Sequence, residues 1–213
     1  VHEYYDRRAT EYDDWYEGTG LFSSRARPGW EAELAGLVAT LSSLPPERVL
    51  DVACGTGYLT RYLAGDVFAL DQGPRMLAQA RRRLPDARLV RGDALALPFR
   101  DQAFGRVFTG HFYGHLQPEE RVAFLAEVRA TAPELVVVDA GPRGGEPREE
   151  WQSRVLSDGS RHPVYKRFFS GASLAEELGS ATVLHDGVWF VAVVSRRERT
   201  AETGPAPQSG LGD

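Results

Sequence analysis

From Arg48 to Ala140 short apolar runs alternate with segments of helical spacing, a rhythm that few folds accommodate. "RVLDV" (48–52), "VFALD" (67–71), "ARLVRG" (87–92), "RVFTG" (106–110) and "ELVVVDA" (134–140) read as strands. Between them Tyr58 to Ala64, "PRMLAQARRRL" (74–84) and "PEERVAFLAEVRAT" (118–131) read as helices, the last two opened by Pro74 and Pro118. The unbroken apolar centre of 134–140 suits a strand buried on both faces. The alternation predicts an α/β fold, a parallel sheet covered by helices on both sides. Ahead of it, Tyr4 to Trp15 has the spacing of one short amphipathic helix, with Tyr4, Tyr5, Ala9, Tyr12 and Trp15 as its apolar groups. Residues 29–41 read as a second helix, with Trp30, Leu34, Leu37, Val38 and Leu41 on one face, stopped by Pro45-Pro46. Residues 141–166, rich in Gly, Pro and charge, break the rhythm and read as a long loop-like insertion. "SLAEEL" (173–178) then reads as a helix, and "ATVLHD" and "VWFVAVVSRR" as a closing strand pair about the Asp186-Gly187 turn. Residues 200–213 read as a disordered tail.

Composition narrows the function. A chain of 213 residues suits one domain with a single buried core. A net charge of −5 argues against a broad phosphate-binding surface, and the basic run "ARRRLPDAR" lacks the interleaved aromatics of a nucleic-acid groove. No apolar run approaches a membrane span, and "VHEYYDRRATEYDD" has no signal core, so a cytoplasmic protein is expected. Cys54 is the single cysteine, which excludes an internal disulfide and a multi-cysteine zinc site, and no metal is expected. Of 25 basic residues 24 are arginine, which reads as the coding bias of a GC-rich genome.

The chemistry concentrates in "DVACGTG", residues 51–57. In an open α/β sheet ligands bind beyond the carboxyl ends of the strands, and glycines there let backbone approach the ligand. A dinucleotide loop wants G-x-G-x-x-G, but Thr60 stands where the third glycine belongs. Asp51 points the same way: a pyrophosphate gains nothing from an acid, whereas S-adenosylmethionine carries an ammonium and a sulfonium. Asp71, ending the second strand, is an acceptor with two oxygens suited to a ribose diol. Asp93, after the third strand, can accept from an adenine amine while the Ala94 N–H donates to the ring, with Met76 and Leu95 flanking the purine. Each has a plain structural alternative: loop support for Asp51, a helix cap for Asp71, a turn-forming Asx residue for Asp93, and a small loop residue for Cys54.

On these residues the chain resembles the class I S-adenosylmethionine-dependent methyltransferases, in their small-molecule (type 11) branch. "VLDVACGTG" resembles the family's first motif, "ALDQGPRML" its second, "GDALALPF" its third, and "FGRVFTGHFYGHL" its strand-four segment. Gly105 stands where the family often has an acid. The resemblance implies a Rossmann-like sheet of seven strands with a reversed final strand, and one domain over 1–199. Within it, 1–44 would be an N-terminal cap and 141–170 an acceptor-side insertion. It implies cofactor contacts from Tyr5, Tyr12, Asp51, Ala53, Cys54, Gly55, Thr56, Asp71, Gln72, Met76, Gly92, Asp93, Ala94, Leu95, Thr109, Gly110 and His111. His111 and His115 are candidate catalytic bases, Arg27 a candidate partner of the methionine carboxylate, and Tyr165, Arg167, Phe168 and Phe169 candidate acceptor-pocket residues. The implied reaction is methyl transfer to a small-molecule acceptor, by a monomer or homodimer, with S-adenosylhomocysteine as product and no nucleic acid or membrane partner. No Asn/Asp-Pro-Pro-aromatic run, as in amino-group methylases of DNA and glutamine, follows strand four. Two alternatives stay open: a non-catalytic cofactor-binding module or subunit partner, and a nucleotide-dependent oxidoreductase, which Asp51 and the missing glycine oppose.

Overall fold

The structure, a computed structural model, describes residues 2–145, 148–179 and 181–197. The expected tail at 200–213 lies outside them. Its strands are β1 (Glu47–Val52), β2 (Gly65–Asp71), β3 (Arg88–Arg91), β4 (Arg106–Gly110), β5 (Glu134–Ala140), β6 (Arg148–Val155), β7 (Arg161–Phe168), β8 (Ala181–Asp186) and β9 (Phe190–Arg196). The helices are α1 (His2–Arg7), α2 (Asp14–Glu17), α3 (Trp30–Ser42), α4 (Pro74–Arg83), α5 (Pro118–Thr131) and α6 (Gly171–Leu178). Seven strands form one sheet in the order β3-β2-β1-β4-β5-β9-β8. The first five run parallel, and β9 inserts antiparallel between β5 and β8, which gives the expected reversed final strand.

Side chains alternate across this sheet, so each face has its own core. Leu50, Val52, Val107 and Val137 meet Phe124 and Val128 of α5 and Leu174 and Leu178 of α6. Val49, Phe108, Val136 and Val138 meet Trp30, Leu37 and Leu41 of α3. On that same face Ala69 packs on Ala80 of α4. Asp51 shares the α3 face, being in register with Ala69 and Phe108, and is 2% exposed. The order reverses at β1 and β4, which run side by side while their crossovers go opposite ways. A crevice must open at their carboxyl ends.

Three expectations are corrected. The helix expected over Tyr58 to Ala64 shrinks to one 3₁₀ turn, Thr60–Tyr62, because β2 starts at Gly65 and leaves too little chain for loop and helix together. The single helix expected over Tyr4 to Trp15 is broken into α1 and α2. Tertiary bonds override its propensity: Asp6 accepts from the Arg75 N–H (2.8 Å), and Asp13 accepts from the Thr56 hydroxyl (2.6 Å) and from Arg83 (2.6 Å). The third concerns 141–166, which is not a loop. Its larger part forms an antiparallel hairpin, β6 paired with β7 from Arg148↔Phe168 to Val155↔Arg161, with Gly159 at φ +81° in the turn.

One buried ion pair fastens this hairpin to the sheet. Asp139 on β5, wholly buried, accepts from Lys166 of β7, from the Ala140 N–H (2.7 Å) and from the Gly114 N–H (2.6 Å). A Cβ on Gly114 would lie 2.6 Å from the Arg167 carbonyl oxygen, so only glycine permits this approach. Removing one partner of a buried pair strands the other charge, at a cost of about 3–5 kcal/mol. Asp139→Ala should lose about that much unfolding free energy in a urea titration. Lys166→Met should lose less, because Asp139 keeps its two N–H donors. Equal losses would show that those amides contribute nothing.

Candidate active site

A cavity of about 200 Å³ opens where the strand order reverses. Its wall brings together Tyr5, Tyr12, Ala53, Gly55, Asp71, Gln72, Met76, Gly92, Asp93, Ala94, Leu95, Gly110 and His111, all singled out from the sequence. Asp51 and Cys54 line a small adjoining cleft that shares Tyr12, Ala53 and Gly110 with it. Thr56 and Thr109 stand apart. The Thr56 hydroxyl donates to Asp13 (2.6 Å), and that of Thr109 donates within the sheet to the Val52 carbonyl (2.8 Å).

Backbone conformation shapes the site before any side chain does. Ala53, just past β1, and His111, just past β4, hold left-handed φ values of 60° and 57°, which cost a non-glycine residue energy and cluster at functional sites. Gly55 (φ +56°) and Gly57 (φ +75°) take the same region without that cost. The Tyr12 ring lies 3.8 Å from where a Gly55 Cβ would be, so it covers the loop from above.

The three acids occupy distinct environments. Asp71 accepts from the Gly55 N–H (2.9 Å) and the Gly73 N–H (2.8 Å), one on each oxygen, which fixes the carboxylate plane at the cavity wall. Asp93 accepts from the Leu95 N–H (2.9 Å) and from Gln72 (2.8 Å), both at Oδ1, so it forms the Asx turn and lines the cavity as well. Asp51 accepts from the Thr60 hydroxyl (2.5 Å) at Oδ2, while its buried Oδ1 has no partner among the described residues. Burial pushes its carboxyl up to about 8, the Thr60 bond opposing and the Asp71 charge adding to the rise. A buried acceptor without a donor, beside a cavity, suits a ligand that brings a cation.

Both histidines are held neutral. Burial draws His111 down to about 3, Asp139 opposing and Lys166, Arg154 and Arg143 adding to the fall; its Nε2 is buried without a partner among the described residues. Burial, then Lys166 and Arg154, holds His115 well below the usual imidazole range. The Tyr165 carbonyl (2.7 Å) can only accept, so the proton of His115 is on Nδ1 and its Nε2 accepts from the Tyr5 hydroxyl (2.8 Å). Burial also drives the Cys54 thiol well above its ordinary value, which makes it inert.

A second cavity, of about 410 Å³, shares Tyr5, Tyr12, His111 and His115 with the first. The hairpin supplies one side of it through Gln152, Ser153, Arg154, Val155 and Lys166. Of the acceptor-pocket candidates, Tyr165 instead lines the smaller cavity, Arg167 pairs with Glu177 (2.8 Å), and Phe168 and Phe169 are core. Lys166, between them, is the one that faces the larger space. Arg27 is not at either cavity: it donates to the Trp15 carbonyl and lies over the Trp30 ring, 4.4 Å from its centroid. Sequence reasoning missed Arg8, Arg25, Arg143 and Arg154 in this wall, and Asp6, Gly73, Phe112, Gln117, Glu120 and Trp151 in the other. At Gly105, where the family's acid is absent, a Cβ would come within 2.2 Å of Glu47 Oε2. Among the described residues no group of three or more His, Cys, Asp or Glu is placed to hold a metal ion, and no helix is long and apolar enough to cross a membrane.

Comparison with known proteins agrees with this geometry. The family model described as "Methyltransferase domain" matches residues 49–133. A demethylmenaquinone methyltransferase of Beutenbergia cavernae is 34% identical over 171 residues, 71% of this chain and 70% of that protein. One of Renibacterium salmoninarum is 36% identical over 107 residues, 48% of this chain and 45% of that protein. The chain thus spans about half the length of the latter. The solved "DhpI-SAM-HEP complex" superposes with a TM-score of 0.70 at 30% identity, over 92% of this chain and 95% of that one. With that likeness in sequence and in fold, the chain belongs to the class I S-adenosylmethionine-dependent methyltransferases.

Proposed function

We propose that the protein transfers a methyl group from S-adenosylmethionine, bound in the smaller cavity, to a small-molecule acceptor in the larger one. The observation that carries this is the shared wall: Tyr5, Tyr12, His111 and His115 face both spaces, so the two ligands would meet across them. The cofactor, when bound, supplies a methyl group already activated on a sulfonium. The chain's task is to hold both partners in line and to exclude water. Asp71 would take the ribose hydroxyls, Asp93 and the Ala94 N–H the adenine edge, and Met76 and Leu95 its faces. Asp51 Oδ1 would take the ammonium. Tyr12, lying over Gly55, and Tyr5, held by His115, close the site from the N-terminal cap over 1–44. The 141–170 segment acts as the acceptor-side lid.

Neither histidine serves as a general base in this reading. His115 spends its Nε2 lone pair on Tyr5, and His111 binds a proton too weakly near neutral pH. The reaction therefore relies on positioning, with His115 orienting Tyr5. The same reading places the enzyme in the cytoplasm, as a monomer or homodimer, without a nucleic-acid partner.

Calorimetry tests the donor: S-adenosylmethionine and S-adenosylhomocysteine should give binding heat and NAD none, and the reverse pattern would overturn the reading. Transfer of radiolabelled methyl to a pool of small metabolites tests the reaction. Asp71→Ala should weaken cofactor binding by about 1.5–3 kcal/mol, the scale of hydrogen bonds to a charged acceptor. Unchanged affinity would remove Asp71 from the ribose site.

Asp51 makes a pH signature. Between its ordinary value near 4 and the folded value of about 8, the unfolded chain has lost a proton that the native one keeps, so this group makes stability fall as pH rises. A bound ammonium favours the carboxylate, so binding should expel that proton. Cofactor affinity should then rise between pH 6 and 8, by at most about tenfold per unit. The free cofactor's amine, ordinarily at about 7.7–8.0, titrates alike whichever protein is present, so comparison with Asp51→Asn isolates the contribution of the carboxyl. Titrations in buffers of different ionisation enthalpy should show proton release with the native chain and less with Asp51→Asn. Equal release would place the ammonium elsewhere.

A further inference from the structure

The larger cavity is strongly cationic on a chain whose net charge is −5. Arg8, Arg25, Arg143, Arg154 and Lys166 line it, against the carboxylates Glu11 and Asp14. Elsewhere this protein pairs its buried arginines with acids: Arg106 with Glu134, and Arg121 with Glu177 (2.8 Å). Around the cavity it does not. Among the described residues, none of Arg8, Arg25, Arg143 and Arg154 forms an ion pair with a carboxylate. Arg8 is only 6% exposed and donates to the Tyr4 hydroxyl (3.1 Å). Arg154 donates to the Gln152 amide oxygen through Nε (3.0 Å) and a terminal nitrogen (2.7 Å). The two acids are engaged otherwise, Glu11 by the Ser157 N–H (3.3 Å) and Asp14 by the Thr19 hydroxyl (2.7 Å). Lys166 is paired with Asp139.

Guanidinium groups gathered without counter-charges repel one another, and one of them is almost fully withdrawn from water. That cost is offset when an anion binds, and planar arginine forks match the oxygens of carboxylate and phosphate-like groups. We propose that the methyl acceptor carries an oxyanion, either a carboxylate or a tetrahedral phosphonate or phosphate, held in this cavity by Arg8, Arg143 and Arg154. The aromatic remainder of the wall, Tyr4, Trp15 and Phe22 among it, suits a compact organic anion. This inference rests on the two-cavity reading above.

The test uses the protein saturated with S-adenosylhomocysteine, titrated with phenylphosphonate, benzoate and the neutral benzamide. At least one anion should bind about tenfold or more tighter than benzamide, and its affinity should fall as salt is raised. The stronger of the two anions identifies the headgroup as tetrahedral or planar. Arg154→Gln and Arg143→Gln should each weaken the preferred anion by about tenfold or more while S-adenosylhomocysteine still binds, which also shows that the variants fold. Benzamide binding as tightly as the anions, no anion binding at all, or unchanged anion affinity in both variants would overturn the proposal. Failure of the native chain to bind S-adenosylhomocysteine would instead overturn the reading beneath it.

Discussion

The partition between the two cavities hangs on one buried carboxylate. Asp139 holds Lys166 of the hairpin and the Gly114 N–H of the strand-four loop. Gly114 precedes His115, and Lys166 follows Tyr165, whose carbonyl accepts from the His115 Nδ1–H. His115 in turn receives the Tyr5 hydroxyl from α1. Four segments distant in sequence thus converge through a short chain of hydrogen bonds. In a low-dielectric interior such a network gains strength when every member is satisfied. A ligand on either side meets the same four side chains, and this network holds two of them, Tyr5 and His115.

The half of the fold assigned to the donor was legible because its physics is local. Strands buried on both faces announce themselves as apolar runs, and Pro74 and Pro118 mark the starts of α4 and α5. Asp71 and Asp93 could be placed because one ends β2 and the other follows β3, on the carboxyl side of the sheet where the β1 loop also lies. What the pattern could not show was that Thr56, on the loop, donates to Asp13 and Thr109, on β4, donates to the β1 carbonyl of Val52. The short crossover after Gly57 was misread for a related reason: Tyr58 to Ala64 has helical spacing, but chain length limits it to a single turn.

The half assigned to the acceptor was hidden for a different cause. Alternation reveals a strand when one face meets an apolar core, but the hairpin's β6 borders the larger cavity with Gln152, Ser153 and Arg154, and its exposed Trp151 borders the smaller one. Neither face is apolar, so no period-two signal arises. The Asp-Gly pair at 158–159, in the hairpin turn, is the signal that could have revealed it. The arginines were discounted by composition: with 24 of them in the chain, any one looks ordinary. Only three dimensions separate those with acid partners from the four that surround a cavity. The single lysine also gains meaning there, as a compact ammonium that fits beside Asp139.

The stretch matched by the family, residues 49–133, contains Asp51, Asp71, Asp93 and both cavity histidines. Arg8, Arg25, Arg143, Arg154 and Lys166 all lie outside it. The three acids assigned to the donor therefore lie in the middle of the chain, and the cations of the larger cavity on its two flanks. In the proposed arrangement, changing those flanking cations would alter what is accepted while Asp51, Asp71 and Asp93 stay as they are. Proteins that share the middle need not share a substrate.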